Sequence, residues 1–357
     1  MSDFRTYHRA RREPAVPMQP VVDPAGWLPD SLGPVEDWAY RITDRDQDEL
    51  IAAVESFRKR RLPLPDVVKK NFPLGGLKDV LAEIRRELIG GRGMVMVQNF
   101  PVDRLDREGI AVAYMGLGAY LGNKMVQNKY GHVLGHVKDI GENYGTTGRS
   151  YNTSSEVRFH SDACDYVGLL CLHPAKSGGT SRVASSVTLY NTMLERRPDL
   201  VEVLTKDFYR SHKGEMTPGT SPWYKMPIFC FTDGYFSAIG AGSTIEKVLK
   251  IPGVPPLTPA QKEAIALYRE IVDEFAADIE FKKGDIQFLA NHVTLHSRRA
   301  FEDWPEKHRR RHLLRLWLRD PEGRPIPEEQ RGTRRDKGVQ IEGLRSIAPL
   351  DVEVAAA

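Results

Sequence analysis

The chain has 357 residues, of which 41% are apolar and 28% charged, enough to bury one large core. Its formal net charge of +3 is close to balance, which excludes the strongly basic surface typical of nucleic-acid binding. No apolar stretch approaches the roughly 18 residues of a membrane span. The three cysteines lack CxxC spacing and are interpreted as reduced thiols. We therefore expect a cytoplasmic protein with neither a nucleic-acid nor a membrane partner.

The first third of the chain predicts an irregular arm followed by packing helices. Residues 1–36 carry six prolines and many charges, which favours an arm lying on the surface. Apolar residues then recur with helical spacing over residues 47–58 and from Leu77 to Leu88, where the paired glycines at 90–91 end the second pattern. These segments are expected to be helices that pack on the core.

The second half predicts short strands interrupted by one helix. Strand patterns occur at residues 167–172, on both sides of the turn at 283–285, and at 312–318. A capping box at residues 258–261 predicts a helix over 259–276.

This order of elements indicates a fold that is mainly β with α. We predict a double-stranded β-helix, a jelly-roll or cupin-like core, with N-terminal and inserted helices. The expected divisions are the arm at 1–36, a single catalytic domain at 37–320, and a surface tail at 321–357.

His160 and Asp162 form a candidate pair of metal ligands. They are two residues apart, and on an extended strand that spacing places both side chains on one face. Two histidines and one carboxylate leave open coordination positions, which Fe(II) enzymes need for oxygen chemistry. The third ligand has two candidates, His292 and His296, which both follow an apolar strand pattern.

Residues 311–318 predict a strand with an unusual face. Arg311, Leu313, Arg315 and Trp317 alternate along it, so two arginines share an otherwise apolar surface. A buried guanidinium is costly unless it is paired, and a dicarboxylate is a natural bidentate partner.

Four motifs in this order resemble the TauD/TfdA family, the taurine dioxygenase-like Fe(II)/2-oxoglutarate oxygenases. They lie at residues 159–162, 169–181, 295–298 and 311–315. The resemblance implies a dioxygenase that uses Fe(II), 2-oxoglutarate and O2. Its expected reaction is hydroxylation of an unactivated C–H bond of a small-molecule substrate, with release of succinate and CO2. It also implies that His160, Asp162 and His296 are the catalytic iron ligands.

The resemblance extends to the co-substrate and the substrate. Arg311 matches the arginine that pairs with the distal carboxylate of 2-oxoglutarate, and its neighbour Arg310 is a rival because the loop 298–310 is longer than in taurine dioxygenase. Ser181, with Thr180 as the second choice, matches a hydroxyl residue that contacts the same carboxylate.

Two further residues are carried over for the substrate. Arg315 matches an arginine that faces the anionic substrate in taurine dioxygenase, and Asn128 lies where relatives place a polar pocket residue. A partner carboxylate in the core would explain Arg315 equally well.

Two other functions fit the same residues. The two-histidine, one-carboxylate set also suits Zn(II) and hydrolysis by activated water. Alternatively, a non-catalytic barrel could bind a small anion through Arg311 and Arg315. The sequence leaves the substrate and the oligomeric state open, a homo-oligomer included.

Overall fold

Two β-sheets form the centre of the molecule, and most helices pack around them. The computed structural model describes residues 11–140, 153–216 and 219–351. The outermost parts of the predicted arm and tail, residues 1–10 and 352–357, lie outside the described residues.

The helices and strands of the described residues are as follows. The α-helices are α1 (Asp44–Lys59), α2 (Leu77–Gly90), α3 (Arg107–Gly118), α4 (Ser186–Arg196), α5 (Pro198–Leu204), α6 (Ser243–Val248), α7 (Pro259–Glu274) and α8 (Arg334–Lys337). The strands are β1 (Ala39–Arg41), β2 (Met94–Gln98), β3 (Asn123–Lys124), β4 (Leu134–Val137), β5 (Val157–His160), β6 (Tyr166–His173), β7 (Ser177–Gly178), β8 (Ser181–Ser185), β9 (Phe208–Ser211), β10 (Trp223–Met226), β11 (Phe229–Thr232), β12 (Tyr235–Ala238), β13 (Ala276–Ile279), β14 (Ile286–Ala290), β15 (Thr294–Arg298), β16 (Phe301–Glu302) and β17 (His312–Arg319).

The larger sheet has seven strands in the order β1-β2-β14-β6-β17-β3, with β4 also paired to β17. The β1–β2 pair is parallel and the other pairs are antiparallel. The smaller sheet has four antiparallel strands in the order β13-β8-β15-β5. Strands distant in sequence therefore lie side by side, as in a jelly roll.

The two sheets share a hydrophobic layer. Met96, Val167, Leu289 and Trp317 of the larger sheet belong to the same buried cluster as Val183 of the smaller sheet. Side chains that alternate along each strand provide this layer, because every second residue points inward. The fold class predicted from the sequence is confirmed.

The individual elements agree with the sequence patterns within a few residues. The predicted helix at 259–276 is α7, which begins at the Thr258 cap and ends at Glu274. The apolar side of α2 is buried through Leu77, Leu81, Ile84 and Leu88. No helix among the described residues combines the length and the apolar character that a bilayer crossing requires.

The C-terminal segment differs from the surface position predicted for it. Gln330 and Arg335 are at most 4% exposed, and Arg324 forms an ion pair with Asp23 of the N-terminal arm at 2.9 Å, with both side chains 1% exposed. Charge alone predicted a solvated tail, but these charged groups are paired or enclosed within the fold. The arm and the tail therefore hold each other against the core.

Candidate active site

Adjacent strands of the smaller sheet bring together the three predicted metal ligands. His160 ends β5 and is paired in register with His296 of β15, and Asp162 follows in the loop after β5. One potential ligand atom from each residue lies within 4.8 Å of the other two. The Nε2 atom of His160 is 4.0 Å from Oδ1 of Asp162. This is the spacing of groups that surround one ion without bonding to each other.

The protonation states suit a metal. Nδ1 of His160 lies 2.9 Å from the carbonyl oxygen of Arg158, so it carries the proton and leaves the Nε2 lone pair available. Burial lowers the pKa of His160, and burial together with the nearby His160 lowers the pKa of His296 to about 3. Both rings are therefore neutral near pH 7, as metal ligation requires.

The carboxylate of Asp162 is held in one orientation by strand β17. Its Oδ2 accepts hydrogen bonds from Nε1 of Trp317 at 2.8 Å and from Nη1 of Arg315 at 3.4 Å. Burial acts to raise the pKa of Asp162, but the guanidinium of Arg315 and the two histidines outweigh it and lower that pKa. Oδ1 is left to face the histidines.

Arg315 thus has a partner carboxylate within the core. Its Nε donates to Oε1 of Gln127 at 2.9 Å, and Nε2 of Gln127 donates in turn to the carbonyl oxygen of Arg315 at 2.9 Å. This arrangement fixes the guanidinium beside Asp162. The structure therefore places Arg315 as a neighbour of the candidate metal ligands, at the edge of the cavity.

His292, the competing third ligand, points away from the candidate metal site. Its Nε2 lies 2.9 Å from Oδ1 of Asp165, and both side chains are 1% exposed. The other oxygen of Asp165 accepts a hydrogen bond from Arg319 at 2.6 Å. His292 is therefore part of a structural network of charged side chains, whereas His296 faces the cavity.

The first cavity, of about 260 Å³, opens directly beside these ligands. Its lining includes the three ligands, Ser181 and Arg311. Arg311 is 5% exposed, and within the described residues its Nη1 has no hydrogen-bond partner. Burial lowers the pKa of Arg311 to about 10, so the group is still charged near pH 7. A buried, charged and incompletely bonded guanidinium is a strong hydrogen-bond donor site for a carboxylate.

The alternatives to Arg311 and Ser181 lie elsewhere. Arg310 donates from Nε to the carbonyl oxygen of Trp304 at 3.2 Å, and Thr180 donates to Glu280 at 2.6 Å. Neither is among the residues that line the cavity.

Asn128 is also outside the cavity lining. Its Oδ1 accepts hydrogen bonds from the backbone of Tyr130 at 3.0 Å and of His132 at 3.3 Å, so it stabilises a turn. The neighbouring Gln127 contacts Arg315 instead. Gln127 is thus the residue of this segment that contacts a cavity-lining side chain, although Gln127 itself lines neither cavity.

Arg298 lines the first cavity and was not assigned a role from the sequence. Its Nη2 donates to the carbonyl oxygens of Thr153, at 2.7 Å, and of Ser155. Burial, and then repulsion from Arg311, lowers the pKa of Arg298 to about 9. A second cationic group thus faces the region where Arg311 lies.

Gly240 packs closely against the backbone of His160, at the end of β5. A Cβ atom added to Gly240 would lie 2.6 Å from the Cα atom of His160. The segment around Gly240 can therefore lie against His160 only because it has no side chain there.

A second cluster of possible ligands occurs at His136, His312 and Asp351. Nε2 of His136 donates to the carbonyl oxygen of Pro349 at 2.8 Å, so its Nδ1 accepts from Nε2 of His312, also at 2.8 Å. Asp351 pairs with Lys138 and Arg107. These contacts account for the cluster without an ion.

Comparison with known proteins identifies the class. The family described as "Taurine catabolism dioxygenase TauD, TfdA family" matches residues 60–317, and the chain belongs to this family. The membership predicted from four motifs is confirmed. The expected enzyme class, a non-haem iron oxygenase dependent on 2-oxoglutarate, is confirmed with it.

Individual relatives extend over most of the chain. It is 30% identical over 321 residues to FR-33289 synthase of Streptomyces rubellomurinus, an alignment that covers 87% of this chain and 93% of the relative. It is also 30% identical over 316 residues to a taurine hydroxylase-like protein of Stachybotrys chartarum, covering 84% and 80%.

Solved structures support the same fold. Asparagine oxygenase in complex with Fe(II), 3-hydroxyasparagine and succinate has a TM-score of 0.61 at 16% identity, covering 78% of this chain and 93% of that one. The non-heme iron oxygenase OrfP with Fe and alpha-ketoglutaric acid has a TM-score of 0.57 at 15% identity, covering 79% and 94%.

Proposed function

We propose that this enzyme hydroxylates an unactivated C–H bond of a small molecule, with Fe(II) held by His160, Asp162 and His296. The observation that carries the proposal is the geometry of these residues: three potential ligand atoms within 4.8 Å of one another at the wall of a cavity. Three protein ligands leave the remaining positions of the metal open for co-substrate and oxygen. With iron bound, O2 and 2-oxoglutarate supply the oxidation and yield succinate and CO2.

The first cavity is the proposed 2-oxoglutarate site. The buried guanidinium of Arg311 and the hydroxyl of Ser181 would hold the carboxylate distant from the metal, since both line the cavity that contains the three ligands. The Oγ atom of Ser181 donates a hydrogen bond to Oε1 of Gln287 at 3.3 Å, which holds the hydroxyl between the two sheets. These contacts orient the co-substrate so that its keto acid end faces the ligands.

Arg315 and Trp317 hold the metal-binding carboxylate in position. Because both donate to Oδ2 of Asp162, only Oδ1 is free to bind a metal ion. No feature of the described site favours the zinc hydrolase or the non-catalytic barrel. Three free, buried cysteines support a cytoplasmic location for the enzyme.

The test is an anaerobic titration of the metal-free enzyme with Fe(II) and 2-oxoglutarate, followed by the visible absorbance of a keto acid chelated to Fe(II). We expect the absorbance in the wild type, and we expect Arg311→Gln to raise the half-saturating 2-oxoglutarate concentration by roughly 10- to 100-fold. The adjacent Arg310→Gln is the matched control and should change it by less than about twofold. Absence of the absorbance in the wild type, or a larger effect of Arg310→Gln, would contradict the proposal.

A further inference from the structure

A second cavity, of about 130 Å³, adjoins the first at the candidate metal ligands. His160 and Asp162 line both cavities, so a molecule in the second cavity is adjacent to the metal site. Trp317 and the neighbours of the two ligands line it as well, and the rest of its lining comes from the segment 210–213, from β10, from the segment around Gly240 and from the C-terminal segment. The segments 210–213, 224–226, 239–244 and 333–335 lie outside the four sequence motifs.

The second cavity is strongly cationic. Four basic side chains line it, Arg210, Lys213, Arg334 and Arg335, and Asp162 is its one acidic residue among those described. Asp162 is itself a candidate metal ligand, and Arg334 is already paired with Glu215. Lys213 is only partly buried, so the charges that need an explanation are those of the fully buried Arg210 and Arg335.

Both of these guanidiniums are buried and incompletely bonded. Arg210 is 1% exposed and Arg335 is 4% exposed. Among the described residues, Nε and Nη2 of each have no hydrogen-bond partner. The Nη1 of Arg210 donates to the carbonyl oxygen of Gly240 at 3.0 Å and to Thr244 at 3.3 Å, both uncharged acceptors. Four N–H-bearing nitrogens are therefore left for a ligand.

The protein itself supplies little compensating charge. Asp165 attracts Arg335, but its oxygens already accept hydrogen bonds from His292, Arg319 and the backbone of Asp320. Burial lowers the pKa of both Arg210 and Arg335, the physical mark of a cation that lacks an anion. Two such groups in one cavity are costly until a negative ligand enters.

We infer that the second cavity binds a doubly charged tetrahedral oxyanion of the substrate, a phosphate-monoester or phosphonate group, between Arg210 and Arg335. Two guanidinium groups present fork-like donors that match such an oxyanion, and its two charges neutralise both arginines. A carboxylate or sulfonate carries one charge and would leave the other arginine uncompensated. The inference rests on the proposed function, because the carbon to be oxidised is then held on the metal side of this anchor.

The inference is tested by calorimetric titration of the anaerobic enzyme saturated with Fe(II) and 2-oxoglutarate, so that Arg311 is already occupied. The probes are methyl phosphate, methanesulfonate and acetate at about pH 8, where a phosphate monoester is doubly charged because its second pKa is about 6. We expect methyl phosphate to bind once per chain and roughly tenfold more tightly than the other two. Equal or tighter binding of acetate or methanesulfonate would overturn the assignment.

Variants locate the bound probe. Arg210→Gln and Arg335→Gln should each weaken methyl phosphate binding by roughly tenfold or more. Arg331→Gln removes an exposed arginine from the same C-terminal segment and should leave the affinity within about twofold. An unchanged affinity in both cavity variants would place the anion elsewhere and refute the site. If neither variant folds, the relative affinities of the wild type for methyl phosphate, methanesulfonate and acetate still test the inference.

A last pair of probes distinguishes a substrate group from a free anion. Propyl phosphate should bind at least as tightly as inorganic phosphate, since the cavity continues toward His160. Tighter binding of inorganic phosphate would indicate a free-ion site and overturn the inference. Failure of 2-oxoglutarate to bind would instead refute the proposed function, and the same titrations on the metal-free protein would then still test the second cavity.

Discussion

His292 and His296 lie four residues apart, yet they face different surroundings. His296 is on β15 and lies beside His160, with ring centroids 4.2 Å apart. His292 precedes that strand and is bonded to Asp165. One histidine is therefore available to a metal, whereas the other stabilises the turn that leads into β15.

This difference gives a prediction for two single variants. His296→Ala should abolish stoichiometric metal binding, because it removes one of three ligands. His292→Ala should lower the free energy of unfolding by about 1–3 kcal/mol, because it breaks a buried hydrogen bond to a charged group, while metal binding persists. Metal titration and chemical unfolding of both variants provide the measurement. Loss of metal binding in His292→Ala with an intact fold would reverse the assignment.

At the scale of the element, β17 connects the two cavities. Arg311, the residue just before the strand, lines the first cavity with Leu313 and Arg315, and Trp317 lines the second. The opposite face, which includes Leu314, Leu316 and Leu318, packs into the main hydrophobic core. The alternation along this strand thus separates a reactive face from a structural face.

Trp317 tests the contribution of this strand to the metal site. In Trp317→Phe the indole donor to Oδ2 of Asp162 is lost, so we expect the carboxylate to be less fixed and the affinity for Fe(II) to fall by roughly 10- to 100-fold. Trp304→Phe makes the same chemical change away from the cavities and is the control. Anaerobic metal titration is the measurement, and equal affinities in the two variants would show that the hydrogen bond does not support ligation.

At the scale of the whole molecule, the buried neutral histidines link folding to pH. The pKa of His292 is lowered to about 4 and that of His296 to about 3, with burial as the largest cause in each case. An unfolded histidine has a pKa of about 6.5, so below that pH the unfolded chain binds protons that the native protein does not. Low pH therefore favours unfolding.

In the metal-free protein, we expect the contribution of His292 and His296 to the free energy of unfolding to be independent of pH above about pH 7. As pH falls below about 6.5 it should decrease by about 1.4 kcal/mol per pH unit for each of the two histidines. Urea unfolding between about pH 7 and pH 5 measures the slope. His296→Gln should reduce the slope by about 1.4 kcal/mol per pH unit, the contribution of one proton. An unchanged slope in His296→Gln would contradict this account.

Local patterns in the sequence predicted much of the fold. Periodicity located α2 and α7, and alternation located β6 and β17, because each of these elements buries one face or both along its own length. The arm and the tail were less predictable. The pairing of Asp23 with Arg324 joins residues from opposite ends of the chain, and no local pattern contains that information.

The sequence alone determined the family and the candidate ligand pair His160 and Asp162, because those residues lie in short ordered motifs whose chemistry is readable one segment at a time. Only the tertiary structure separated His296 from His292, selected Gln127 over Asn128, and brought Arg210 of β9 beside Arg335 of the tail. The physical reason is that burial and pairing depend on contacts between segments distant in sequence. A charged residue has the same appearance in a sequence whether it is solvated, paired or enclosed beside a cavity.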